Sequence, residues 1–213
     1  MSTASRTTTA DRFDEAARSL VEVGRAFSAR GSVPATSGNF SLRLDERTVA
    51  ITRSGVDKGA LVPADIMTAD VEAPPPPGSS AETPLHLALY RDRPAVRAVI
   101  HTHADAAAVL SRVGGDLLLS GWELLKAFTG VTSHQARVTI PVFANDQDVP
   151  ALAIRVSARL AAMPAAPAYL LAGHGLYTWG SSLAEATRHA VALEHLLACE
   201  LDRRRLAPPR RRS

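Results

Sequence analysis

The 213-residue chain has one cysteine, Cys199, so it cannot close an internal disulfide, and a reducing compartment is the expectation. It has no apolar run near the ~20 residues that span a bilayer. Its polar start, MSTASRTTTADRF, has no apolar segment of the secretory kind, so a cytoplasmic protein without a membrane partner is expected. No GxGxxG and no Walker-type loop occurs, which leaves nucleotide binding without support. No internal repeat is visible. With 46% hydrophobic and 21% charged residues, the composition excludes a wholly disordered chain, a collagen-like chain and a coiled coil.

Acidic charge is scarce at one end only. The net charge is +3, yet residues 201–213 alone carry +5, from six arginines against one aspartate. The rest of the chain sums to −2, so the domain has no basic face, and no nucleic-acid partner is expected. Cations near a helix C-terminus already account for Arg203, Arg204 and Arg205.

Three segments follow: residues 1–10 as a disordered tail, 11–205 as one domain, and 206–213 as a basic tail. From Asp11, apolar residues at three- and four-residue steps (Phe13, Ala16, Ala17, Leu20, Val21, Phe27) predict a helix stopped by Gly31. SGNFSLRL, TVAITRSG and DIMTADVEA read as three strands of an antiparallel group. APPPPGSS is a rigid loop within the domain. Beyond it the pattern predicts a helix over 81–91, a strand AVRAVIHTH, helices at ADAAAVLSR and around WELLKAFTG, and a strand RVTIPVF. Then come a helix at DVPALAIRVSARLAAM, a strand AYLLAGHG with LYTWG continuing or returning from it, and a long helix over 182–205. This order predicts a single three-layer α/β domain. Its central sheet is mostly antiparallel or mixed, with helices on both faces.

His101 and His103 flank Thr102 at the end of the apolar strand 96–100. A strand has period two, so both rings project to one side, where two imidazoles can grip one metal ion. His174 ends a second apolar strand, clamped between Gly173 and Gly175. Each site alone reads equally well as a buried structural histidine. Together they supply three imidazoles, the set that leaves a zinc position open for catalysis. Glu82 and Glu123 each start a predicted helix, where a carboxylate is favoured by the N-terminus. Either is a candidate acid/base or metal ligand. His86 lies one turn after Glu82, while His134, His189 and His195 read as ordinary. Small hydroxyl-rich turns, Ser37-Gly38-Asn39 and Thr52-Arg53-Ser54-Gly55, and Ser79-Ser80 before a helix, suit a phosphate. Trp122, Phe128 and Tyr177 are candidates for an apolar substrate wall or for core packing. Asn145, Asp146, Gln147 and Asp148 read as a cap for the helix that follows.

In this order, SGNFSLRL, TRSG, SAE, HTH and GHG resemble the class II aldolase and adducin-head family, whose enzymes use zinc on sugar phosphates. ITRSGVDKG, SAETPLH, AVIHTHADAAAV, GWELLKAFTG, PVFANDQDVPALA and LLAGHGLYTWG resemble most its dehydratase branch, which removes water from a ketose phosphate in methionine salvage. The resemblance covers residues 11–205. It implies one Zn2+ per subunit on His101, His103 and His174, and phosphate contacts from Ser37, Gly38, Asn39, Thr52, Ser54, Gly55 and Ser80. It implies Glu82 as ligand or acid/base in aldolases and Glu123 as the acid/base of the dehydratases. It also implies a homotetramer acting on a small sugar-phosphate substrate. Ala81 stands where some aldolases carry a second serine, removing one hydroxyl from the phosphate set. The alternatives are an aldolase or epimerase on another sugar phosphate, and a non-catalytic adducin-like interaction module.

Overall fold

The computed structural model describes residues 9–206; residues 1–8 and the arginine-rich stretch 207–213 lie outside it. The chain runs α1 (Thr9–Ala29), β1 (Asn39–Arg43), β2 (Thr48–Thr52), β3 (Ile66–Asp70), α2 (Thr83–Asp92), β4 (Ala98–Thr102) and α3 (Asp105–Leu110). It continues β5 (Leu117–Leu119), β6 (Val138–Ile140), β7 (Val142–Phe143), α4 (Val149–Ala161), β8 (Ala168–Leu171), β9 (Gly175–Gly180) and α5 (Leu183–Leu206). Seven strands form one sheet in the order β3-β2-β1-β4-β9-β8-β7. Every pair is antiparallel except β7 with β8. β5 and β6 pair in a small second sheet.

Strand parity builds three layers. Val49, Ile51, Val99, Tyr169, Leu171, Tyr177 and Trp179 face one side and pack with Leu85, Leu89, Leu152 and Val156 of α2 and α4. Phe40, Ala50, Ala98 and Ile100 face the other side and meet Leu20 and Phe27 of α1 and Ala186 and Ala190 of α5. Ala168, Leu170 and Leu176 on that same side pack with Ala107 and Leu110 of α3 and Leu193 and Leu197 of α5. The chain is thus an α/β domain with helices on both faces of a mixed sheet. Among the described residues no helix is long and apolar enough to cross a membrane.

Four local readings change. RVTIPVF is not one strand: Pro141 offers no N–H to a ladder and parts β6 from β7, which pair in different sheets. The segment around WELLKAFTG is not an α-helix but a 3-10 turn over Glu123–Ala127. Leu117–Leu119 forms a strand in a stretch to which the sequence pattern assigns no element. The first helix begins at Thr9 rather than Asp11.

Candidate metal centre

Strand β4 enters the sheet centre between β1 and β9 and carries His101 on the α2/α4 face, opposite Asn39 of β1 and Tyr177 of β9. Its ring is buried and stacks on Tyr177 at 4.0 Å and 15°. His101 Nδ1 lies 2.8 Å from the Leu176 carbonyl, which can only accept, so Nδ1 carries the proton and Nε2 presents a bare lone pair. His103, just past β4, is anchored by its backbone N–H on the Ser32 carbonyl at 2.8 Å. His174 sits in the turn between β8 and β9, with Asn145 Oδ1 3.4 Å from its Nδ1. That turn demands glycine. A Cβ on Gly175 would stand 2.1 Å from the Thr102 carbonyl oxygen, so only a bare Cα lets His174 approach β4 this closely.

The three Nε2 atoms converge. His103 Nε2 is 2.9 Å from that of His101 and 3.1 Å from that of His174. Glu82, at the start of α2, closes the group, with Oε2 3.3 Å from His101 Nε2 and Oε1 2.8 Å from His174 Nε2. The four ligand atoms lie within 4.8 Å of one another. Tetrahedral ligands about 2.0–2.1 Å from one ion stand roughly 3.4 Å apart, so a first-row divalent metal fits this donor set. Calcium and magnesium prefer oxygen alone.

The electrostatics keep the donors metal-ready. Burial, then repulsion from His101 and His174, pushes His103 down to about 3, so its ring is neutral at neutral pH. Burial alone would raise the Glu82 carboxyl; the imidazoles of His101 and His174 beside it override burial and hold Glu82 well below the usual carboxylate range.

The hydroxyl-rich turns gather beside this cluster. Asn39 Nδ2 reaches Glu82 Oε2 at 2.7 Å and Ser80 Oγ at 3.2 Å. Ser80 Oγ also receives the Glu82 backbone N–H. Arg53 bridges to Ser79, and the Ser54 N–H reaches the Gly78 carbonyl, which brings 52–55 against 78–80. Gly38 turns at φ +74° with its Cα facing the His101 carbonyl, and Gly55 turns likewise. Ser37 Oγ is buried without a partner. Thr52 Oγ1, by contrast, accepts the Phe40 backbone N–H.

Glu123 is not among these donors. Its side chain is 71% exposed and pairs with Lys126 and, at 3.8 Å, with His134. Phe128 and Tyr177 are core residues, and Trp122 is half-buried. His189 donates from a buried ring to the Trp179 carbonyl. Three residues escaped the sequence reading. Asn145, read only as part of a cap, stands beside His174. Lys58 is 1% exposed and donates to the Thr36 and Val56 carbonyls, tying the two candidate phosphate turns from beneath. Glu194, on α5, accepts from Ser32 and Thr102 and braces the end of β4 from the opposite face. A lysine inside SGVDKG and a glutamate within the apolar run of α5 are the only signals that could have found the last two.

A three-histidine, one-glutamate cluster that could hold a metal ion, set on a mixed α/β sheet, is the arrangement of a metal-dependent enzyme fold of the aldolase type. The chain belongs to the Class II Aldolase and Adducin N-terminal domain family, which matches residues 18–201. It is 53% identical to methylthioribulose-1-phosphate dehydratase of Bradyrhizobium sp. strain BTAi1, over 88% of this chain and 91% of that protein. It is 48% identical to the enzyme of the same name from Methylococcus capsulatus, over 88% and 94%. Among solved structures it resembles L-fuculose-1-phosphate aldolase from Thermus thermophilus. That match has a TM-score of 0.74 and 30% identity and covers 92% of this chain and 97% of that one.

Proposed function

We propose that the protein is a hydro-lyase converting 5-methylthioribulose 1-phosphate to 2,3-diketo-5-methylthiopentyl 1-phosphate in methionine salvage. The observation that carries this reading is the convergence of His101, His103, His174 and Glu82 in a chain about half identical to dehydratases of that name. We assign one zinc per subunit to the three imidazoles. When bound, zinc would supply Lewis acidity to the carbonyl of the ketose.

The chain's residues supply the rest. Ser37, Gly38, Asn39, Thr52, Ser54, Gly55 and Ser80 bind the phosphate and fix the orientation of the reacting carbons. A carboxylate takes the C3 proton, the C3–C4 double bond forms, and the C4 hydroxyl leaves as water with a proton returned to it. The resulting enol takes a proton at C4, gives up the proton of its C3 hydroxyl and becomes the 2,3-diketone. The two proton transfers are assigned to Glu82, held against the imidazoles, and Glu123, which Lys126 keeps ionised. We further place the enzyme in the cytoplasm as a homotetramer, following the lone free cysteine and the family resemblance.

Product mass after incubation of zinc-loaded protein with methylthioribulose 1-phosphate tests the reading. Loss of one water with the carbon chain intact supports it. Cleavage to dihydroxyacetone phosphate and methylthioacetaldehyde replaces it with an aldolase. Glu123→Gln is expected to keep the metal and lose about a hundredfold or more in kcat. Normal turnover by that variant moves both proton transfers to Glu82.

A further inference from the structure

Behind Glu82 runs a chain of side chains in which every hydrogen-bond direction is forced. Glu82 Oε2 can only accept, so Asn39 turns its amide Nδ2 toward it, at 2.7 Å. That leaves Asn39 Oδ1 facing His86 Nε2 at 2.5 Å, so His86 carries its proton on Nε2. His86 Nδ1 is then a lone pair and must accept from Ser41 Oγ, at 2.7 Å. Ser41, having given its proton, accepts from the Tyr90 hydroxyl at 2.9 Å. The Tyr90 ring is covered by the Arg43 guanidinium, 4.8 Å from its centroid, and Arg43 donates to the Tyr90 carbonyl.

Asn39, Ser41, His86 and Tyr90 are all buried. Burial, with His101 nearby, holds the His86 ring down to about 3, so it stays neutral and keeps one donor and one acceptor. Nothing in the reaction requires such a ring beneath the sheet. A leucine could fill the space beside Tyr177 without needing two polar partners.

We propose that His86 is a positioning residue whose Nε2–H, donated to Asn39 Oδ1, holds the Asn39 amide and thereby the orientation of the Glu82 carboxylate. The locked amide occupies Oε2 from one side. Oε1, toward His174, is left as the oxygen for metal or substrate. Reversing the tautomer would reverse the amide, and Asn39 Oδ1 would then face Glu82 Oε2, two acceptors in contact. The inference rests on Glu82 working beside the metal.

His86→Leu is the test, because it removes the donor to Asn39 Oδ1 and leaves Asn39 and Glu82 in place. In zinc-loaded protein labelled with 15N-histidine, the wild-type His86 shows a protonated Nε2 and a bare Nδ1. In the variant, zinc affinity, by competition with a chromophoric chelator, or kcat falls about 10- to 100-fold, with KM changed far less. His86→Gln, which can still donate to Asn39, retains more of both than His86→Leu. Glu82→Gln serves as the control for the underlying reading. If Glu82→Gln is impaired while His86→Leu keeps the wild-type affinity and kcat, or if the wild-type ring carries its proton on Nδ1, the positioning role is wrong. If Glu82→Gln itself binds zinc and turns over normally, the reading of Glu82 fails instead.

Discussion

At the scale of single residues, the site depends on lone pairs pointing where a cation belongs. His101 has no freedom: its Nδ1–H is spent on Leu176, its ring lies on Tyr177, and its Nε2 meets His103 Nε2 and a carboxylate. His101→Ala is therefore expected to lower bound zinc to well below one per subunit by metal analysis, with turnover lost in parallel. Full activity in a metal-depleted variant would remove the metal assignment. The three histidines were legible because strand period two and paired glycines are written in the sequence. The partnership of Glu82 was not, since an acidic residue at a helix start carries the same local signature whether it caps or ligates; only the packing of α2 against the sheet brings it to His174. Glu123 carried that same signature and stands in solvent instead, 71% exposed.

At the scale of elements, the start of α5 is fastened by a reciprocal pair of bonds. The Glu185 N–H reaches Ser182 Oγ, while Glu185 Oε2 receives both the N–H and the hydroxyl of Ser181. Oε1 takes a further bond from Thr129, which ties the helix to the segment after the 3-10 turn. These donors, Ser181 first and then Thr129, hold the Glu185 carboxyl down to about 2, against an ordinary value of 4.5. A depressed carboxylate stabilises the fold fully above its unfolded pKa and progressively less as pH falls through the folded one. Glu185→Gln is thus expected to cost about 1 kcal/mol above pH ~5, a loss that shrinks toward pH ~2, measured by urea unfolding across that range. Most elements followed from apolar periodicity and turn residues. The splitting of RVTIPVF did not, because both halves are apolar and β-branched, and only the missing N–H of Pro141 decides that they enter different sheets. The turn at Glu123–Ala127 misled for a related reason: its apolar spacing suits a helix, but the segment is five residues long, and Gly121 and Gly130 bound it.

At the scale of the whole molecule, the metal ligands come from three regions far apart in sequence: the start of α2, the end of β4 and the turn between β8 and β9. An unfolded chain cannot offer them together, so a metal held by them would bind the native state in preference. At free zinc about 100 times Kd the linkage is worth about 2.7 kcal/mol. Removing the metal with a chelator should lower Tm by several degrees, and restoring zinc should recover it. Calorimetry checks this, and a Tm indifferent to zinc would contradict a site assembled by the fold. The three-layer arrangement was legible from the alternation of helix and strand. The neighbour order, with β4 between β1 and β9, was not, because it is set by which apolar faces α1, α2, α4 and α5 cover together.

The sheet ends, beyond β8, in β7, which is two residues long and preceded by Pro141. A full-length strand there would expose a row of unpaired amides and carbonyls able to template a foreign chain. The stub offers almost none. One margin of a seven-stranded sheet is thereby closed to growth by strand addition. That margin does not become a seed for fibrils.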